Sequence, residues 1–497
     1  MKYRVEILQD NDFRILYAEE DSVLLDVLGE EGYNVYSPCG GKGTCGKCLV
    51  QIEGKGTVAA CRFIIQENIK VILPDTREMN VLSTQYEHTA TFAFSPGYPA
   101  RLSIKPVGCA VDIGTTTLAY YFVDLKNGAL IRTYTDTNPQ SIHGADVISR
   151  INHCVGNVSA VKELQMLLVG SLKNNIERFI TDSGIEAKDI TAINVVGNTT
   201  MLHLMAGVDP SPIAFSPYKP VFTDYRTLSA RVLGLKINPE ARMNLLPSVS
   251  GYIGSDIVAG MASLGGSYDG LIFYIDIGTN GEIVLSSEDG IWACATAAGP
   301  AFEGANISCG SPAVEGAVCS YAGGEIKTIG SSEPDGICGS GLVDIIAYML
   351  SINMVSPDGK IDEPYVVYKK DRSRTITITQ QDVREIQLAK AAVAAGINIL
   401  LHRSGFGYND VEKVIVAGGF GNYLDTASAV RIGLFPEELS DKLIQVGNAA
   451  GTGAVLSLKS EDFVNRIYDL QSRIEYVELS ADGEFMEEFV SNINFRT

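Results

Sequence analysis

Positive charge is what this chain has least of. It carries 39 lysines and arginines against 59 aspartates and glutamates, a formal charge of −20, with a pI near 4.7. Such a surface repels phosphate backbones and anionic headgroups, so neither nucleic acid nor membrane is expected as a partner. No apolar run reaches the length needed to cross a bilayer. The start, Met1-Lys-Tyr-Arg-Val-Glu-Ile-Leu, alternates like a strand and does not read as a secretory signal. A disulfide framework is therefore not expected in a chain of 497 residues, and the expected compartment is a reducing cytoplasm. That length suggests about three or four folding units.

Four of the ten cysteines are crowded into one stretch: Cys39, Cys45, Cys48 and Cys61, spaced C-x5-C-x2-C-x12-C. An iron–sulfur cluster needs four converging thiolates, and a glycine-rich loop can deliver three of them. Gly40, Gly41, Gly43 and Gly46 lie among the first three. Lys42, Lys47 and Arg62 add positive charge that favours a reduced cluster. Four thiolates also suit zinc, but zinc sites usually pair two C-x2-C knuckles and only one is present. The pattern resembles ferredoxin [2Fe–2S] loops, which implies one-electron chemistry. The first gap is one residue longer than the plant-type spacing, and the last gap is much shorter than usual. The other six cysteines are scattered and read as buried small hydrophobes.

Residues 1–80 fit a β-grasp domain. Strands are expected at Tyr3–Leu8, Phe13–Tyr17, Leu49–Gly54 and Ile69–Leu73, and a helix from Ser22. Residues 81–106, with Ser95-Pro-Gly-Tyr-Pro, read as a linker that lets the small domain move. From 107 the texture becomes glycine-rich α/β. Asp112-Ile-Gly-Thr and Asp276-Ile-Gly-Thr recur 164 residues apart, each between two hydrophobic strands. Two similar lobes are expected, over 107–265 and 266–497, with the final helices free to return to the first.

Each such turn suits a phosphate. Glycine lets the backbone approach, turn N–H groups and hydroxyls donate, and the aspartate holds Mg²⁺ through water. The candidates are Asp112, Gly114, Thr115, Thr116 and Thr117, then Asp276, Gly278, Thr279, Asn280 and Gly281. Gly418, Gly419, Phe420, Gly421 and Asn422 end another buried strand and suit a nucleoside. Gly197 and Asn198 lie in Val195-Val-Gly-Asn-Thr-Thr. Asp256 or Glu282 could orient an attacking water. Lys390 reads equally as cleft-lining or solvated. The set resembles the superfamily of acetate and sugar kinases, heat-shock ATPases and actin. That resemblance implies two ribonuclease H-like lobes with ATP and Mg²⁺ between them.

A cluster domain joined to an ATPase suggests ATP-driven electron transfer. Raising one electron by 100 mV takes about 2.3 kcal/mol, and lobe closure on ATP can supply a shift of that size. The whole combination resembles reductive activators of corrinoid proteins. The resemblance implies a homodimer that takes an electron from an external low-potential donor. It then reduces the Co(II) corrinoid of a methyltransferase-system corrinoid protein to Co(I). Known members carry a longer linker and an extra middle domain, where this chain has about 25 residues. Members acting on methylamine systems carry C-terminal cysteines, and here the last is Cys338. Rival readings are ATP-coupled donation to another low-potential acceptor, or a small-molecule kinase with a redox-sensing domain. Activators of radical dehydratases lack a ferredoxin domain, and an actin-like filament protein would have no use for one.

Overall fold

The computed structural model describes residues 2–9, 12–31, 33, 35, 41, 43, 48–73, 90–144, 146–264, 270–370 and 374–496. At the N-terminus, β1 (Lys2–Gln9) and β2 (Asp12–Glu19) form a hairpin, followed by α1 (Leu24–Glu30), β3 (Leu49–Ile52), β4 (Gly56–Ala59) and β5 (Ile69–Ile72). The sheet order β2-β1-β5-β3-β4, with β5 parallel to β1, is that of a β-grasp fold. Alternation sends Val5, Ile7, Val50, Ile52 and Val71 inward onto Leu24, Leu25 and Leu28 of α1, closing a small core.

The first large sheet begins with an antiparallel meander of β6 (Val107–Ile113), β7 (Thr117–Asp124) and β8 (Leu130–Thr137). Helices α2 (Val147–Cys154) and α3 (Val158–Ser183) lead to β9 (Ile190–Gly197), parallel to β6. Then come α4 (Thr199–Ala206), α5 (Ser211–Ala214), β10 (Arg226–Ser229), β11 (Arg242–Leu245) and α6 (Ser255–Ser263). The second large sheet repeats the plan with β12 (Leu271–Ile277), β13 (Gly281–Ser286) and β14 (Ile291–Thr296). Inserted before its parallel strands are β15 (Ala317–Ala322), β16 (Glu325–Thr328), β17 (Gly336–Ile337), α7 (Gly339–Ser351), β18 (Tyr365–Lys370), β19 (Arg374–Ile378) and α8 (Gln380–Ser404). Next follow β20 (Val411–Ala417), α9 (Thr426–Arg431), β21 (Leu443–Gly447), α10 (Ala449–Lys459), α11 (Glu461–Arg473), β22 (Ile474–Tyr476) and α12 (Phe485–Ser491).

The orders β10-β11-β9-β6-β7-β8 and β21-β20-β12-β13-β14-β22 share one ribonuclease H-like core, a meander extended by two parallel strands. Period-two burial explains how the lobes join. Phe273, Ile275 and Ile277 of β12 face an outer core with α7 and α8, while Ile272 and Tyr274 face an inner one. The inner core also takes Ala110 of β6, so both sheets share it, with α6 and α10 packed inside. These two helices cross at glycine. A Cβ on Gly453 would run into the Ala259 carbonyl, and one on Gly260 into the Tyr274 hydroxyl.

Of the stretch 81–106 read as linker, residues 81–89 lie outside the described residues, and 90–106 lie pinned along this body. Ala90 N–H donates to the Ser263 carbonyl and Ser95 N–H to that of Lys459, each at 2.8 Å. The Phe92 ring stands edge-on to Phe463 at 5.1 Å. Tyr98 donates its hydroxyl proton to Glu240 at 2.7 Å. Lys390 is neither cleft-lining nor solvated. It is buried in α8 and donates to the carbonyls of Asn492 and Asn494, holding down the C-terminal segment. Burial pulls its pKa down to about 7.

Candidate functional site

The two Asp-Ile-Gly-Thr turns face each other across a cleft of about 260 Å³. In the first, Gly114 N–H bonds the Thr117 carbonyl at 2.9 Å. A Cβ on Gly114 would stand only 2.7 Å from that oxygen, so the turn needs glycine. In the second, Gly278 N–H bonds the Asn280 carbonyl at 2.9 Å. The first turn is braced from behind. Fully buried Arg150 donates to the Thr115 carbonyl at 2.6 Å and to that of Gly144 at 3.0 Å. Burial lowers the Arg150 pKa to about 10, which leaves the guanidinium charged at neutral pH. Asn138 Nδ2 donates to the Gly114 carbonyl at 2.8 Å, and Asn198 Nδ2 to Thr115 Oγ1 at 3.1 Å.

One carboxylate oxygen joins the turns. Glu303 Oε2 accepts from Thr116 Oγ1 and from Thr279 Oγ1, both at 2.8 Å. One hydroxyl comes from each lobe. Both point at a single negative oxygen inside the cleft, where donors for a phosphate belong.

Around it stand four more acids. Burial raises Asp112 to about 6, against a hydrogen bond from Asn448. Asp276 rises to about 7 through burial and its neighbours Asp112 and Glu303. Asp256 rises to about 8 through burial and the charges of Asp276 and Asp112. Glu282 is held well above the usual range by burial, then by Asp256 and Asp276. Burial also raises Glu303, opposed by its two threonine bonds. Carboxylates that raise one another in this way would be relieved by a cation, and oxygen-only donors suit Mg²⁺. Helices α4, α6, α7 and α10 begin at the cleft wall and turn their positive ends to it.

Most residues singled out in the sequence meet here. Asp112, Gly114, Thr115, Thr116, Thr117, Asn198, Asp256, Asp276, Gly278, Thr279, Asn280, Glu282, Gly418, Gly419 and Phe420 all line the cleft. Three glycines are not among its lining residues. A Cβ on Gly197 would stand 2.7 Å from the Ile113 carbonyl, and one on Gly281 2.7 Å from Thr296 Oγ1. One on Gly421 would stand 3.2 Å from the Val416 carbonyl. Close packing against neighbouring elements favours glycine at these positions. The side chain of Asn422 lies outside the described residues. Sequence reading missed Glu303, which lies in the glycine turn Gly299-Pro-Ala-Phe-Glu-Gly. It also missed Asn448, which donates to Asp112 at 2.8 Å.

Of the four clustered cysteines, Cys39 and Cys45 lie outside the described residues. Cys48 is buried just before β3, and Cys61 sits in the turn after β4. Ala60 N–H bonds the Cys48 carbonyl at 2.8 Å, and Cys61 N–H points at Cys48 Sγ at 3.5 Å. The backbone of a residue 13 positions on is thus brought against the Cys48 sulfur, a donor of the kind that tunes clusters. Gly41 and Gly43 take φ of 76° and 73°, and Arg62 donates to the Gly43 carbonyl. The remaining cysteines are buried, except half-buried Cys309.

Comparison with known proteins agrees with this layout. The family model described as the RACo middle region matches residues 107–265, and that of the C-terminal domain of RACo, the ASKHA domain, matches 270–497. The segment read as the first lobe is therefore what that family calls its middle region, which overturns the expectation that the chain lacks one. A corrinoid activation enzyme, RamQ of Eubacterium limosum, is 28% identical, over 96% of this chain and 97% of its own. A [Co(II) methylated amine-specific corrinoid protein] reductase of Methanosarcina barkeri is 25% identical, over 69% of this chain and 68% of its own. Among solved structures, a reductive activator for a corrinoid, iron–sulfur protein superposes with a TM-score of 0.73 at 28% identity. It covers 99% of this chain and 98% of that one.

Proposed function

The chain belongs to the family of reductive activators of corrinoid proteins, and from that premise we propose that it spends ATP to return one electron to a corrinoid protein. Co(II) plus one electron gives Co(I), and the acceptor is the corrinoid of a methyltransferase system. In this reading residues 1–80 are the redox domain, and 107–265 and 266–497 are the ATPase lobes of a cytoplasmic homodimer. An external low-potential donor refills it.

Cys39, Cys45, Cys48 and Cys61 would hold a [2Fe–2S] cluster, which supplies one-electron chemistry. The described pair supports this: neither is in a disulfide, and the Cys61 backbone N–H lies against Cys48 Sγ. Cys48 is carried on the sheet core, so its sulfur is screened from water. Arg62 supplies nearby positive charge.

One observation carries the ATP half: hydroxyls from both lobes meet on one anionic oxygen. Thr116 and Thr279 would pass from Glu303 to a terminal phosphate, and Asp112 and Asp276 would hold Mg²⁺. Asp256 and Glu282 would orient water once that cation lowers their pKa values. Gly418 and Gly419 would let the nucleoside lie flat against backbone.

The test is an anaerobic optical assay. Reduced protein is mixed with a Co(II) corrinoid protein, with and without Mg·ATP, and the Co(I) band is followed. Co(I) formation that depends on ATP is expected. Reduction of the protein with no Co(I) under any nucleotide condition would refute the assignment.

A further inference from the structure

Away from the cleft, three side chains from three elements of the first lobe converge. His143 ends the helical turn Pro139–His143, His153 lies in α2 and Glu163 in α3. His143 Nε2 stands 3.2 Å from Glu163 Oε1, and His153 Nε2 stands 3.2 Å from Oε2. The imidazoles stack with centroids 4.2 Å apart and 16° between their planes. All three candidate ligand atoms lie within 4.8 Å of one another.

The protein alone leaves this cluster unfinished. His153 bonds Glu163. His143 Nε2 is buried, and the geometry gives it no hydrogen bond from any described residue. A buried ring nitrogen without a partner is unfavourable.

We propose that His143, His153 and Glu163 form a binding site for a divalent transition-metal ion of the zinc class. Two imidazoles and one carboxylate suit such an ion and not Mg²⁺. Tetrahedral bonds of about 2.0–2.1 Å place ligand atoms roughly 3.3 Å apart, close to the two separations of 3.2 Å. The stacked rings do not both aim at one point, so one must turn. His153 is the freer, with its side chain 30% exposed against 19% for His143. Solvent takes the fourth position. The ion joins three segments that already brace the first phosphate turn, because Asn138 precedes His143 and Arg150 precedes His153. Its role is to stiffen that brace, and the site stands whether or not the cleft hydrolyses ATP.

Zinc titration of the full, cluster-loaded chain tests this, beside His153→Ala and Glu163→Gln. The native chain should bind one equivalent more than either variant, and zinc should raise the unfolding temperature of the native chain alone. Cobalt(II) added in place of zinc should give a native-minus-variant spectrum of d–d bands without thiolate charge transfer. Equal stoichiometry in all three chains would overturn the site. So would a thiolate band in the difference spectrum, because the extra ion then sits on cysteine.

Discussion

Replacing Asp256 with asparagine should stabilise the cation-free protein at pH 8 while disabling its ATPase. The carboxyl is raised from 3.8 to about 8, by burial first and then by Asp276 and Asp112. The folded state binds this proton more tightly than the unfolded chain. Asp256 therefore lowers stability progressively as pH climbs from about 4 toward 8, and by no more above that. At 1.36 kcal/mol per unit the full displacement sets a ceiling of about 6 kcal/mol. The side chain faces a wet cleft and shares charge with two neighbours, so about 1–3 kcal/mol is expected in practice. Unfolding would be followed for the native chain and Asp256→Asn at several pH values between 6 and 8.5. Without divalent ions the variant should unfold later, and its advantage should grow with pH. Added Mg²⁺ should stabilise the native chain more than the variant and close the gap. A variant that is less stable at pH 8 without cation, or an advantage that ignores pH, would refute the picture of a charge-starved cleft.

Three other outcomes follow from the same geometry. Cys48→Ser should lose electron transfer and keep nucleotide binding, whereas Asp276→Ala should lose ATP hydrolysis and keep a reducible cluster. Optical titration and phosphate release would show whether the halves separate. Glu303→Ala should bind Mg-free ATP at least about tenfold tighter, since the phosphate no longer competes for two charge-assisted hydrogen bonds; weaker binding by calorimetry would make Glu303 a support and not a competitor. Gly453→Ala should destabilise the lobes by about 1–3 kcal/mol, because the new methyl meets backbone and not a movable side chain, and a melting temperature unchanged from native would contradict the close crossing.

The two Asp-Ile-Gly-Thr turns and their meeting at one cleft were legible because their pattern is local. Glycine and threonine directly after a hydrophobic strand have few other uses, and Asp112 and Asp276 did end strands. The β-grasp unit was legible from alternation and from three-and-four spacing in α1. Glu303 was not, because its partner Thr116 lies 187 positions away and an acid in a turn has no distinguishing pattern. Lys390 misled, and Arg150 went unnoticed, for a related reason. Nothing local shows that a cation will be buried on backbone carbonyls. The strap at 90–106 looked loose because proline and glycine mark an absence of helix and strand, not an absence of contacts. Gly197, Gly281 and Gly421 sit within motifs, and close packing against neighbouring elements favours glycine there.

Two helices that touch at glycine have no clearance for sliding. Any change in the angle between the lobes must then turn α6 against α10 like blades on a pin. The last residue of one blade, Ser263, takes the hydrogen bond of Ala90, and the end of the other, Lys459, takes that of Ser95. Both attachments belong to the first described residues after the N-terminal domain. A twist begun at the cleft end would reach, geared by helix length, the attachments of the segment 90–95.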